Sequence, residues 1–128
     1  MELTNYQKLN SNYELAVVPL RGKVAFPSVS TTFEVGRDIT MNAVEYASSK
    51  DEKLIFVVTQ KKTNKHEIGQ EDLYEVGTVC QIKQITRLSS GTIRVQVEGL
   101  FPARIQSFFF NQSFFQAVVS KTREEGED

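Results

Sequence analysis

The chain has 128 residues, 40% hydrophobic and 24% charged, which suits one domain burying about two-thirds of the surface its unfolded form exposes. Its 15 Lys and Arg against 16 Asp and Glu give a net charge of −1 and no bulk positive field, which disfavours nucleic acid as a partner. The single cysteine, Cys80, excludes an internal disulfide and fits a reducing cytoplasmic setting. No apolar run approaches the ~20 residues of a membrane helix, so no membrane partner is expected.

Residues 1–13 are polar and without period, as in a flexible leader. Leu15-Ala16-Val17-Val18-Pro19-Leu20 reads as a buried strand whose proline places it at a sheet edge or near its end. Arg21-Gly22-Lys23 breaks the pattern, and Val24-Ala25-Phe26-Pro27-Ser28-Val29 follows as an apolar loop closed by proline. Thr31-Thr32-Phe33-Glu34-Val35 is a second strand, with Phe33 and Val35 on one face.

The period then changes. Ile39, Ala43 and Ala47, with Val44 and Tyr46, recur at helical spacing and predict one amphipathic helix over about 37–50, with Asp38 at its favourable amino end. Lys53-Leu54-Ile55-Phe56-Val57-Val58-Thr59 is a continuous β-branched and aromatic run, the mark of a central strand buried on both faces. Residues 61–71 are polar and form a solvated connection.

A long hairpin follows, from Leu73 to Leu100. Val76, Thr78, Cys80 and Ile82 share one side of its first strand, Val79, Lys83 and Ile85 the other; Ile93, Val95 and Val97 alternate cleanly on the return. Ser89-Ser90-Gly91 makes the turn, with Gly91 free to take positive φ. The segment reads as scaffold, with the turn its obviously exposed part. Two more strands, 103–108 and 114–119, complete the sheet, and the charged residues 121–128 read as a tail or the start of a linker in a chain cut at a domain boundary. The expected class is α+β, mainly β: an antiparallel, barrel-like sheet of six or seven strands with one helix, occupying residues 14–120.

Four strings, in order, resemble the N-terminal domain of Lon proteases. They are Val18-Pro19-Leu20-Arg21-Gly22-Lys23-Val24-Ala25-Phe26-Pro27, Phe33-Glu34-Val35-Gly36-Arg37-Asp38, Gly69-Gln70-Glu71-Asp72-Leu73-Tyr74-Glu75-Val76-Gly77-Thr78, and Gly91-Thr92-Ile93-Arg94-Val95-Gln96-Val97-Glu98-Gly99-Leu100 with Ala103-Arg104-Ile105 after it. The resemblance implies a PUA-like β-barrel at the front of a cytoplasmic ATP-dependent protease. In that setting the domain would capture unfolded or damaged polypeptides and meet other domains and subunits of a hexamer. The implied parent would use ATP and Mg²⁺ and a Ser-Lys protease; the chain itself shows no phosphate-binding Gly-x-x-x-x-Gly-Lys-Ser/Thr loop and no nucleophile beside a base, so neither a cofactor nor catalysis is expected of it. Because the implied barrel type also occurs in RNA-modifying proteins, an RNA-binding module is the alternative reading, as is a stand-alone interaction protein with this domain.

His66 and Cys80 are too few and too far apart to assemble a zinc site; they read as a surface residue and a small core residue. If the domain binds unfolded chains, adaptable apolar surface is what it needs. Val24, Phe26, Pro27 and Val29 lead as substrate-binding residues, the competing reading being that Phe26 plugs one end of the barrel. Phe108, Phe109, Phe110, Phe114 and Phe115 are the second apolar candidates: adjacent strand residues point to opposite faces, so one ring of the triplet must face outward or onto a neighbouring element. Arg21, Lys23 and Arg37 are rim charges, able to meet acidic substrates or a neighbouring subunit, or simply solvated.

Overall fold

The computed structural model describes residues 12–122 apart from 37, 65 and 66, so Arg37, His66, most of the leader and residues 123–128 lie outside the described residues. Chain order runs β1 (Asn12–Leu20), β2 (Ser30–Val35), helix α1 (Asp38–Ser48), β3 (Leu54–Thr59), a 3-10 turn (Gln70–Asp72), β4 (Val76–Arg87), β5 (Ile93–Phe110) and β6 (Phe115–Lys121). Among the described residues there are thus six strands and one α-helix, within the expected class.

The strands form one sheet in the order β2-β5-β4-β3-β1-β6, and β6 pairs again with β5. That second pairing closes β5, β4, β3, β1 and β6 into a ring, leaving β2 attached along the first half of β5. Closure satisfies backbone groups that an open sheet would expose. Every ladder is antiparallel except one: β1 and β3 run parallel, Val17 beside Phe56 and Leu20 beside Thr59. A parallel pair needs a crossover, and β2 with α1 supplies it.

The largest departure from expectation is β5. The stretches read as separate strands, 92–100 and 103–108, are one strand of 18 residues. Gly99 and Pro102 do not turn the chain; they mark where β5 changes partner on one side, from β2 (through Glu98) to β6 (from Ala103). Pro102 accepts a bond from the Thr122 N–H just past the last ladder pair, so its missing N–H falls at the ladder's end. Register slips twice between β4 and β5, at the Val79/Cys80 and Ile82/Gln84 steps. The second slip makes Lys83 an extra residue and reverses the phase, which is why Ile85 packs on the same cluster as Ile82 instead of the opposite side.

The turn forms as expected. Gly91 takes φ +94° and its N–H donates to the Leu88 carbonyl, while the Leu88 N–H donates to Thr92. Helix α1 begins at Asp38 and buries Thr40, Ala43, Val44 and Ala47. Small residues at that spacing let the helix approach β1 and β3 closely.

Two apolar clusters form the core, separated by β1 and β3. One takes Ala16, Val18, Ile55, Val57, Cys80 and Val95 with the helix; the other takes Val17, Phe56, Val58, Val79, Ile105 and Val119. Ile55 through Val58 are all buried, so β3 is central as its unbroken apolar run predicts.

Candidate functional site

The loop between β1 and β2 carries the largest concentration of exposed apolar side chains. Phe26 is 57% exposed, Val24 50% and Val29 46%, with Pro27 half-buried. Phe26 is therefore no plug; Ala25, between the exposed residues, is the one that turns inward.

The loop backbone is fixed at four points. The Thr59 hydroxyl donates to the Lys23 carbonyl (2.8 Å) and the buried Thr78 hydroxyl to the Ala25 carbonyl (2.9 Å). On β5, the Ser28 N–H donates to the Gly99 carbonyl (2.9 Å) and the Gly99 N–H to the Val29 carbonyl (3.0 Å). Gly99 is required by space: a Cβ there would lie 2.1 Å from the Phe26 carbonyl oxygen. Ser28 holds φ +67°, an unusual backbone for a serine that these bonds impose. The result is a rigid backbone presenting apolar side chains outward.

Beside the loop lies a groove of about 650 Å³ lined by Val24, Thr59, Lys61, Tyr74, Glu75 and Val76. Tyr74 is 52% exposed and Val76 is exposed too. These two correct the reading of the hairpin as scaffold exposed only at its turn. Val76 shares a side with Thr78 and Cys80 in the sequence pattern, but it lies beyond the last β3–β4 ladder pair, Val57 opposite Thr78, and is exposed. Gly77 then lets β4 press onto β3, since a Cβ there would sit 2.6 Å from the Val57 carbonyl oxygen. The available signal was that Tyr74 and Val76, two apart in an extended chain, share a side interrupted only by Glu75.

The phenylalanine strip behaves differently. A register shift between Ile105 and Ser107 makes Gln106 an extra residue, and Phe108 then packs onto the second cluster. Its ring stacks on Phe115 at 5.0 Å between centroids, and Phe110 leans on the same ring at 5.4 Å. Phe114 and Phe115 are buried, Phe114 against the ring of Tyr46 on α1 at 4.9 Å. Phe109 and Phe110 stay exposed. The Asn111 side-chain oxygen accepts from the N–H groups of Ser113 and Phe114, shaping the turn that brings the rings together.

The charges near the loop are engaged. The Arg21 Nε donates to Gln60 Oε1 (3.4 Å), and the Lys23 ammonium turns to the Thr32 carbonyl on the outer edge of β2. Both line a smaller groove of about 330 Å³ that also meets Phe33, Gly36 and Thr40, away from Phe26. Glu75 is paired with Arg104 at 2.6 Å.

Cys80 is fully buried, and burial pushes its thiol up to about 12, so it is chemically quiet at neutral pH. Among the described residues no group of three or more His, Cys, Asp or Glu is placed to hold a metal ion, and no helix is long and apolar enough to cross a membrane. The site offers apolar contact through exposed side chains on an anchored backbone.

Comparison with known proteins gives the family. Residues 14–128 match the family model of the ATP-dependent protease La (LON) substrate-binding domain. The chain is 39% identical over 117 residues to the Lon protease of Clostridioides difficile (strain 630), covering 91% of this chain and 14% of that protein. It is 42% identical over 111 residues to the Lon protease of Syntrophomonas wolfei, covering 87% and 14%. The chain thus spans about one-seventh of the length of these relatives. Its fold matches the N-terminal domain of a Mycobacterium avium complex Lon protease (TM-score 0.70, 15% identity, 88% of this chain and 56% of the other). It also matches a Lon N-terminal domain protein from Xanthomonas campestris (TM-score 0.67, 16% identity, 91% and 63%). With a family model covering nearly the whole chain and relatives near 40% identity, the protein belongs to the Lon N-terminal substrate-binding domain family.

Proposed function

We propose that the rim formed by Val24, Phe26, Pro27, Val29, Tyr74 and Val76 captures unfolded or damaged polypeptide for an ATP-dependent protease of which this chain is the N-terminal part. The observation that carries the reading is exposed apolar side chains on a pinned backbone: leaving Phe26 in water offsets part of the gain from folding, and nothing in the domain's own packing requires it. Folded proteins bury their apolar side chains, whereas unfolded ones offer them, so such a rim discriminates by folding state without a demanding hydrogen-bond code. ATP and Mg²⁺, a Ser-Lys protease, assembly into a hexamer and a cytoplasmic setting are part of the same proposal for the parent. The exposed Phe109 and Phe110 suit contact with another domain or subunit of that assembly.

The test is capture of a reduced, carboxymethylated reporter protein by the chain, compared with the same reporter folded. Binding of the unfolded form alone, weakened about tenfold by Phe26→Ser with the melting temperature unchanged, supports the proposal. Equal binding by wild type and Phe26→Ser would move the site elsewhere.

A further inference from the structure

The groove beside the loop carries a cation as well as apolar side chains. Lys61 lines it together with Val24, Tyr74 and Val76, and Lys62 follows directly. Both lysines are exposed, and neither makes an ion pair with a described residue. Their segment is held in place: the Lys61 N–H donates to the Asp72 carbonyl (2.8 Å), and the Lys62 carbonyl accepts from the Gln60 side chain (3.0 Å). The one carboxylate lining the groove, Glu75, is engaged by Arg104. The groove therefore joins apolar walls to two neighbouring lysines that form no ion pair with a described residue, with Glu71 beside Lys61 along the adjoining groove.

We infer that this site selects extended polypeptide segments in which an aromatic or large aliphatic residue is flanked by aspartate or glutamate, the apolar side chain entering the groove and the carboxylate meeting Lys61 and Lys62. The inference rests on the capture reading above and sharpens it into a sequence preference. Phe26 and Tyr74 offer aromatic faces, but two lysines on a chain of net charge −1 make no continuous cationic track for a phosphate backbone, so a polypeptide fits better than a nucleic acid. Exposed ion pairs are individually weak, so the preference is modest and falls with salt.

The experiment measures binding of the 128-residue chain to fluorescent peptides with one central phenylalanine, flanked by aspartates, asparagines or lysines. At low ionic strength the aspartate peptide should bind about fivefold more tightly than the asparagine peptide, and the lysine peptide more weakly still. Half-molar salt should collapse the difference. Lys61→Gln with Lys62→Gln should bring the aspartate-to-asparagine affinity ratio to about one, and Lys61→Glu with Lys62→Glu should reverse the order in favour of the lysine peptide, which a merely unfolded variant could not do. Equal affinity of wild type for the aspartate and asparagine peptides, both weakened by Phe26→Ser, overturns this inference and leaves the capture rim standing. Peptide binding indifferent to Phe26→Ser overturns the rim itself. A single-stranded oligonucleotide that binds more tightly than the aspartate peptide and is lost with the two lysines overturns the choice of polypeptide.

Discussion

Two regions of this domain expose phenylalanine, and they do so for different reasons. At the β1–β2 loop, Phe26 projects from a backbone fixed by Thr59, Thr78 and Gly99, with no aromatic ring of the described residues against its own. At the β5–β6 turn, Phe110 is also exposed, but its ring leans on Phe115, which in turn stacks on Phe108. The first arrangement invests backbone hydrogen bonds in presenting a side chain to solvent. The second arises because three consecutive phenylalanines cannot all enter one core, so the surplus packs on its neighbours. Exposure alone does not separate the two; what the backbone is held to do does.

The sharpest break between the regions comes from truncating the stacked strip. Phe115→Ala removes a buried ring that both Phe108 and Phe110 contact, and should cost about 3–4 kcal/mol in urea unfolding, whereas Phe110→Ala should cost under ~1 kcal/mol. Similar losses for both would mean that Phe110 is part of the core. Next in size is Gly99→Ala. The new methyl would collide with the Phe26 carbonyl, so the loop must leave β5, at a cost of about 2–3 kcal/mol with loss of capture as well. Gly91→Ala provides the control: the space around it is open, so only its φ of +94° is penalised, by about 1 kcal/mol, with capture retained.

Much of this was legible in the sequence. The unbroken run at Leu54–Thr59 announced a strand buried on both faces, and the Ile93, Val95, Val97 alternation announced the return strand. Gly91 marked its turn. The exposed loop was legible because an apolar run bounded by Arg21-Gly22-Lys23 and closed at Pro27 has no period to bury it. What escaped was set by register. One added residue in a ladder reverses every side chain beyond it, and nothing local distinguishes Lys83 or Gln106 from its neighbours. Hence the sides of Ile85 and Phe108 could not be read in advance. Gly99 and Pro102 misled for a related reason: residues that usually end strands here mark a change of strand partner, which only the arrangement of β2 and β6 defines. Tyr74 and Val76 were missed because their exposure depends on where β3 stops.

Cys80, buried in the core, belongs to neither region and serves as a reporter. Its thiol should resist alkylation in the folded protein at pH 8 and react readily in urea, since burial disfavours the thiolate. The folded pKa of about 12 lies above the ordinary 9.0, so the unfolded chain releases the proton first. Stability from this group is complete below pH 9 and declines from there toward pH 12, by about 1.4 kcal/mol per pH unit. Cys80→Ala removes this component. The difference in unfolding free energy between wild type and variant should therefore shrink by about 1.4 kcal/mol between pH 9.5 and 10.5, and a constant difference would show that the thiol ionises alike in both states.

The smallest stability effect carries the functional distinction. Phe26→Ser exchanges a mostly exposed ring for a hydroxyl on a loop whose four anchoring hydrogen bonds run through its backbone atoms, Gly99 and the side chains of Thr59 and Thr78. The unfolding free energy should move by no more than ~0.5 kcal/mol, while affinity for an unfolded reporter falls about tenfold. Phe109→Ser, on the other exposed surface, should be comparably mild for stability and leave capture unchanged. If the two serine variants instead lose capture equally, the pinned loop has no privileged role, and the domain would recognise unfolded chains by exposed aromatic area wherever it occurs. A loss confined to Phe26→Ser would show that a fixed backbone beneath an exposed ring is what separates a binding surface from surplus phenylalanine.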